Sequence, residues 1–204
     1  MLKKILAGIA AGILISIGGS VFLACDIKYV GAIMFTVALL CICFKGYSLY
    51  TGKIGFIPEK HDKEAFSVLL LGLLGNAIAT IVCGIAIRYA IPALGETALT
   101  ICTAKLTQSF GSALIRGIFC GILMYLAVSI YRDKNNVLGI VFGIPVFILA
   151  GFEHSIADMF YFAASGIVSV KAFGFLWTVV LGNTIGGMLL PVITGALRKE
   201  KTNG

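Results

Sequence analysis

Long apolar runs alternate with short polar interruptions along the chain. At about 20 apolar residues per crossing, the pattern predicts six membrane spans, near 4–24, 29–57, 65–92, 110–131, 137–167 and 173–197. The polar connections are brief: "CDIK", "PEKHDKE", "YRDKNN" and a C-terminal "RKEKTNG". The first run, "ILAGIAAGILISIGGSVFLA", follows two lysines as a leader peptide does. Its apolar core is too long for a leader and similar runs recur to the C-terminus, so it reads as a retained first span.

The second and fifth runs exceed a single straight crossing. A 29-residue helix rising about 1.5 Å per residue reaches roughly 44 Å, against a hydrocarbon core of about 30 Å. Each of these runs also carries polar or flexible residues at mid-length, "FKGYSLYTGK" in the second and "GFEHSIADMF" in the fifth. Both are expected to be broken helices, with non-helical backbone that lines a cavity or is buried in protein.

The halves resemble each other. "AGIAAGILI" matches "RGIFCGILM" at Gly8/Gly117 and Gly12/Gly121, and "LLGNAIA" matches "VLGNTIG" at Gly75/Gly182 and Asn76/Asn183. Phe44 and Phe152, each opening a polar break, supply a third pairing, and the three offsets are 109, 107 and 108 residues. This regularity predicts a single transmembrane domain, 1–204, duplicated into repeat one (about 1–100) and repeat two (about 101–204). Three spans per repeat is an odd number, so the second copy runs in the opposite sense and any pathway falls near the midplane, where interrupted helices meet. The matched glycines also fit close helix packing by itself.

Composition agrees with membrane residence: 59% hydrophobic, 12% charged, mean hydropathy +1.04. Six cysteines lie mostly in apolar runs with no C-x-x-C spacing and read as small buried hydrophobes rather than a metal or redox site. The net charge of +7 raises the question of nucleic acid. The basic residues instead cluster at the ends of apolar runs, which is a topology signal. With the N-terminus cytoplasmic, that side holds Lys3, Lys4, Lys53, Lys60, Lys63, Arg132, Lys134, Arg198, Lys199 and Lys201, about twice the number opposite. The expectation is a multi-pass protein of the cell's inner (plasma) membrane with both termini cytoplasmic, partnered by the bilayer and not by nucleic acid.

His154 sits near the middle of the fifth run. An ionisable group at that depth costs about 2.5–3.5 kcal/mol on insertion scales and normally faces a bundle interior or water. Were the run helical throughout, Phe147, Gly151, His154 and Asp158 would share one face. The competing structural reading makes the histidine hydrogen-bonding glue between helices. Glu153 either orients the imidazole or, as the stronger expectation, caps the broken helix.

These residues bear a family resemblance. "GFEHSIADMFYF" resembles the fifth-helix signature of the formate/nitrite transporters, "KGYSLYTG" their second-helix break, "LLGN" and "LGNTIGG" their third and sixth helices, and "ALIRGIFCGILMYLAV" their fourth, in order over nearly the whole chain. The resemblance implies an all-α, aquaporin-like protomer of six helices in two inverted three-helix repeats, a homopentamer with one pore per protomer, and no cofactor. By motif, His154 is the central pore histidine, and Phe35 and Phe147 are apolar constrictions on either side of it, with Leu39 near the first. Thr51 is the threonine that hydrogen-bonds the histidine, and Lys105 is the vestibule lysine. Glu153, Asp158 and Gly121 complete the expected pathway.

The chain departs from the family pattern at Gly121 and Asp158, both usually asparagine, at Ser48, which takes an acidic position, and at Lys45, an added charge. These departures bear on substrate and pore polarity. The implied activity is passage of a small monovalent weak-acid anion of the formate, nitrite or hydrosulfide type. Protonation removes most of the desolvation cost at an apolar constriction, so flux is expected to rise as external pH falls. The alternatives are a neutral-solute pore or a non-conducting scaffold. An intramembrane enzyme is disfavoured, since H-E-x-x-H and G-x-S-x-G are both missing and the spans hold no second histidine.

Overall fold

In the computed structural model, the backbone is described for residues 1–203 and side chains through residue 197. Among the described residues every regular element is a helix: α1 (Leu2–Ala24), α2 (Lys28–Lys45), a short α3 (Tyr50–Lys53) continued by one 3₁₀ turn, α4 (Lys63–Ala90), α5 (Pro92–Lys105), α6 (Phe110–Lys134), α7 (Leu138–Leu149), α8 (Ser155–Ser165) and α9 (Val170–Asn203). Five of them, α1, α2, α4, α6 and α9, are long and apolar enough to cross a membrane. Asp62 starts α4 by accepting from Ala65 N–H at 2.7 Å, Ser109 starts α6 by accepting from Ser112 N–H at 3.2 Å, and Pro92 opens α5, where a missing N–H costs nothing.

Both over-long runs are interrupted where the polar residues fall. The second stops at Gly46 (φ +67°) and the fifth at Gly151 (φ +74°), left-handed positions that glycine takes without strain. The segment left without an element by the hydropathy pattern is the helix α5, and the expected repeat boundary near residue 100 falls inside it. The Phe44/Phe152 pairing needs correction. Phe44 lies two residues before the left-handed Gly46 and is exposed, whereas Phe152 follows the left-handed Gly151, so the two do not correspond.

Helix packing follows the matched glycines. A Cβ on Gly12 would stand 2.8 Å from the Asn76 carbonyl and 2.7 Å from Ala79 Cβ, so α1 and α4 approach backbone to backbone; Gly117 would meet Gly182 Cα at 3.1 Å where α6 crosses α9. Around these pairs α2 packs on α1 and α7, and α8 on α4 and α5. Polarity is reversed relative to a water-soluble domain. Ile13, Ile17, Val37, Leu70, Val82 and Ile85 face outward, while Thr51, Asn76, Glu153, His154, Asp158 and Asn183 are buried.

One end gathers basic residues: Lys4 pairs with Glu64 at 2.7 Å and Arg132 with Glu59 at 3.2 Å, tying the start of α1 and the end of α6 to the 57–64 connection. The side chains of Arg198, Lys199 and Lys201, assigned above to this end, lie outside the described residues.

Candidate functional site

The two breaks are held by the same device. In the first, Tyr47 N–H returns to Ile42 O at 3.0 Å, Ser48 N–H donates to Ala7 O at 3.1 Å, and Asn76 clamps the extended backbone. Its Oδ1 accepts from Tyr50 N–H at 2.9 Å, and its Nδ2 donates to Ser48 O at 2.9 Å and Gly8 O at 2.8 Å. In the second, Phe152 N–H returns to Phe147 O at 2.9 Å and Glu153 N–H donates to Arg116 O at 3.3 Å. Asn183 accepts from Ser155 N–H at 2.8 Å and donates to Glu153 O at 2.8 Å and Gly117 O at 2.9 Å. Each asparagine thus satisfies backbone groups that no helix ladder serves and that membrane burial would otherwise leave unpaired.

His154 is the N-cap of α8, with Nδ1 accepting from Ala157 N–H at 3.1 Å. This corrects the expectation for Glu153: the imidazole caps the helix, and the glutamate carboxylate turns elsewhere. The other ring nitrogen, Nε2, lies 2.8 Å from Thr51 Oγ1. Since Nδ1 accepts, the neutral ring carries its proton on Nε2 and donates it to the threonine. Phe147 stacks on the imidazole, with ring centroids 5.6 Å apart and planes 19° apart. Phe147, Gly151, His154 and Asp158 do line one cavity, but because the helix breaks between them and not because they share a helical face.

That cavity has a volume of about 450 Å³, with Phe35 on its wall. A second cavity of about 230 Å³ is lined by Leu39, Leu49, Gly52 and Lys53. Phe35 and Leu39 are one turn, about 6 Å of rise, apart on α2, so neighbouring turns of one helix line the two cavities. Phe35 and Leu39 are each 1% exposed, and Thr51 and His154 are also buried.

Charge is distributed unexpectedly. Lys105, at the C-terminus of α5, forms ion pairs with both Glu153 and Asp158, the second at 3.0 Å. Gln108 Nε2 donates to the remaining Glu153 oxygen at 2.7 Å. Lys105 is therefore matched by two carboxylates and is not a free vestibule cation. The cations of the first cavity without a carboxylate partner among the described residues are Lys28 and Arg116, both exposed. Arg116 also donates to Gly151 O at 3.1 Å. Gly121, expected on the pathway, lines neither cavity. It lies under α9, where a Cβ would collide with the Asn183 carbonyl and stand 2.8 Å from Gly187 N.

Sequence reasoning missed Arg116, Lys28 and Gln108, and saw in Asn76 and Asn183 only a repeat. The signal available for the asparagines was an amide side chain fixed inside an apolar run, which needs a buried partner.

The sequence profile of the formate/nitrite transporters matches residues 1–196. The chain belongs to the formate/nitrite transporter family. It is 31% identical over 185 residues to formate-nitrite transporter 2 of Toxoplasma gondii, an alignment covering 80% of this chain and 40% of that one. It is 29% identical over 184 residues to the Bacillus subtilis transporter YrhG, covering 82% and 67%. A pentameric formate channel with formate bound superposes with a TM-score of 0.78 at 25% identity, covering 97% of each chain. Formate/nitrite transporters are transport proteins and not enzymes, and this member is a multi-pass membrane protein.

Proposed function

We propose that this formate/nitrite transporter passes a small monovalent weak-acid anion, of the formate, nitrite or hydrosulfide type, together with a proton through a conduit in each protomer. The observation that carries the reading is the thin septum. Phe35 lines the first cavity beside His154, Leu39 one turn further along α2 lines the second, and the buried Thr51–His154 hydrogen bond joins the two breaks. A bare anion meets a large desolvation penalty at such a collar, whereas its neutral acid does not. Lys28 and Arg116 on one side and Lys53 on the other supply the positive potential that concentrates anions at each entrance. His154 acts as a hydrogen-bond donor at the waist, since both ring nitrogens are already engaged.

Six crossings in two inverted repeats fit this reading. The Asn76 and Asn183 clamps bind equivalent atoms of the two breaks, as duplication requires. A homopentamer follows by likeness to the pentameric formate channel. The basic end built around Lys4 and Arg132 supports cytoplasmic termini on the positive-inside rule, and on that reading the first cavity opens to the outside. The pairing of Lys105 with two carboxylates favours a second reading, a neutral-solute pore, which the assay separates.

Purified protein in liposomes is tested by stopped-flow light scattering with formate, nitrite, hydrosulfide and glycerol, with pH fixed on both sides. The expected result is uptake of one or more of the anions, rising as external pH falls. Uptake of glycerol alone establishes the neutral pore, and silence with all four a scaffold. His154→Asn keeps an N-cap acceptor while removing the imidazole. It is expected to change anion selectivity, and selectivity and pH response identical to wild type would overturn the role of His154.

A further inference from the structure

We infer that Asp158 holds a proton at neutral pH and is the group that hands it to the anion in the first cavity. The inference rests on the conduit reading above and deepens it. It begins from a count of charges and lone pairs. Lys105 is the one ammonium between two carboxylates, and Glu153 and Asp158 are only 2% and 1% exposed. Were both ionised, the cluster would keep a net negative charge away from water, which is strongly disfavoured; one proton makes it neutral.

Hydrogen bonding says where that proton goes. Both Glu153 oxygens already accept, one from Lys105 Nζ and one from Gln108 Nε2. Asp158 Oδ1 takes the Lys105 ammonium at 3.0 Å, while Oδ2 is buried and has no partner. An unpartnered buried oxygen on a residue that lines the cavity is where an O–H fits. The N-terminal turn of α8 pulls the other way, favouring a charged aspartate. That turn, however, is capped by His154, and the local cation is already matched by Glu153.

The other groups facing Asp158 do not supply a competing counter-charge. From α8 itself comes the phenol of Tyr161, and from α5 and α6 the buried thiols of Cys102 and Cys120. His154 is neutral with both nitrogens engaged, and the free cations Arg116 and Lys28 are exposed toward water.

The step is a proton transfer with no redox component. Because Oδ2 is shielded where it stands, the carboxyl first turns about its Cβ–Cγ bond to present the O–H to the cavity; that O–H bond then breaks, a new O–H or S–H bond forms on the anion, and Asp158 is left as carboxylate beside Lys105. The neutral acid crosses the Phe35–Leu39 collar, and water in the first cavity returns a proton to the carboxylate before it turns back. His154 is a poor donor in its place, because giving up its Nε2 proton would break the Thr51 bond.

Infrared difference spectroscopy reads the proton directly and independently of transport. Wild-type protein at neutral pH is expected to show the carbonyl band of a protonated carboxyl that Asp158→Asn lacks and that Asp158→Glu shifts in frequency; a band unshifted in Asp158→Glu puts the proton on Glu153 and overturns the assignment. Glu153→Gln is expected to lose the same band although Asp158 remains, since Lys105 then has one carboxylate and that carboxylate ionises. No such band in wild type, or one that survives in Glu153→Gln, overturns the assignment. In liposomes, formate influx is expected to fall by about 100-fold in Asp158→Asn, the lower end of what a positioned general acid contributes, and to recover in part in Asp158→Glu. Unchanged influx in Asp158→Asn overturns the donor step. A wild-type band with no flux of any anion overturns the conduit reading and the donor step with it, and leaves the protonated carboxyl standing.

Discussion

Replacing Asn183 by alanine removes one side chain and three hydrogen bonds from a residue with no exposed surface. Gly117 O lies within α6, where the helix ladder serves it too, so its loss is the smallest. Ser155 N–H and Glu153 O flank His154 outside any ladder, and Asn183 is their partner. Orphaning a buried backbone group costs about 1–3 kcal/mol. Interhelical hydrogen bonds measured in membranes average nearer 0.6 kcal/mol, because the unfolded chain also finds partners. Two orphans and one weakened bond therefore put Asn183→Ala at about 3 kcal/mol, a large share of the roughly 5–15 kcal/mol that holds a typical fold.

The assay is equilibrium unfolding in mixed micelles of rising SDS content, with Asn76→Ala and Asn136→Ala beside it. Asn76 makes the matching three bonds in the first break and is expected to cost a similar amount. Asn136 accepts one bond, from Leu138 N–H in an exposed turn, and its loss is expected to cost about 1 kcal/mol or less. If Asn183→Ala loses no more stability than Asn136→Ala, the breaks are not held by their asparagines and the clamp argument fails.

Two further outcomes are expected. Gly121→Val drives a side chain into the Asn183 carbonyl and toward Gly187 N, so stability falls by about 1–3 kcal/mol. In the fraction that folds, anion selectivity should match wild type, and altered selectivity per folded protomer would return Gly121 to the pathway. The double variant Lys28→Ala, Arg116→Ala removes the free cations of the first cavity, so initial anion uptake slows several-fold at low salt and its dependence on ionic strength flattens. Uptake as steeply salt-dependent as in wild type would show that the positive potential lies elsewhere.

The long helices were legible because membrane burial demands length and apolarity, a signal that survives in any single sequence. The breaks were legible too, since Gly46 and Gly151 stand beside polar residues inside runs too long to be straight. His154 was found because an imidazole there has few reasons to exist. What could not be read was the company each residue keeps. Lys105 and Glu153 are 48 positions apart, and nothing local says that the lysine is already paired; Gly121 resembles a pathway residue by motif and is a packing residue by geometry. Phe44 misled because a similar offset mimicked correspondence, whereas the left-handed Gly46 and Gly151 align the two breaks by backbone conformation.

That alignment sets Gly46 with Gly151, Ser48 with Glu153, Leu49 with His154 and Tyr50 with Ser155, each 105 residues apart. The clamping asparagines bind only backbone atoms at these positions, so the clamps themselves place no demand on the side chains they carry. One break has used that freedom for Ser48 and Leu49, the other for Glu153 and His154. The consequence is a symmetric scaffold with asymmetric chemistry. The second cavity is greeted by Leu49, and the first by an imidazole beside a lysine–carboxylate cluster. Proton handling on this reading belongs to one side of the septum, so exchanging Leu49 and His154 should disturb selectivity and leave the two backbone clamps intact.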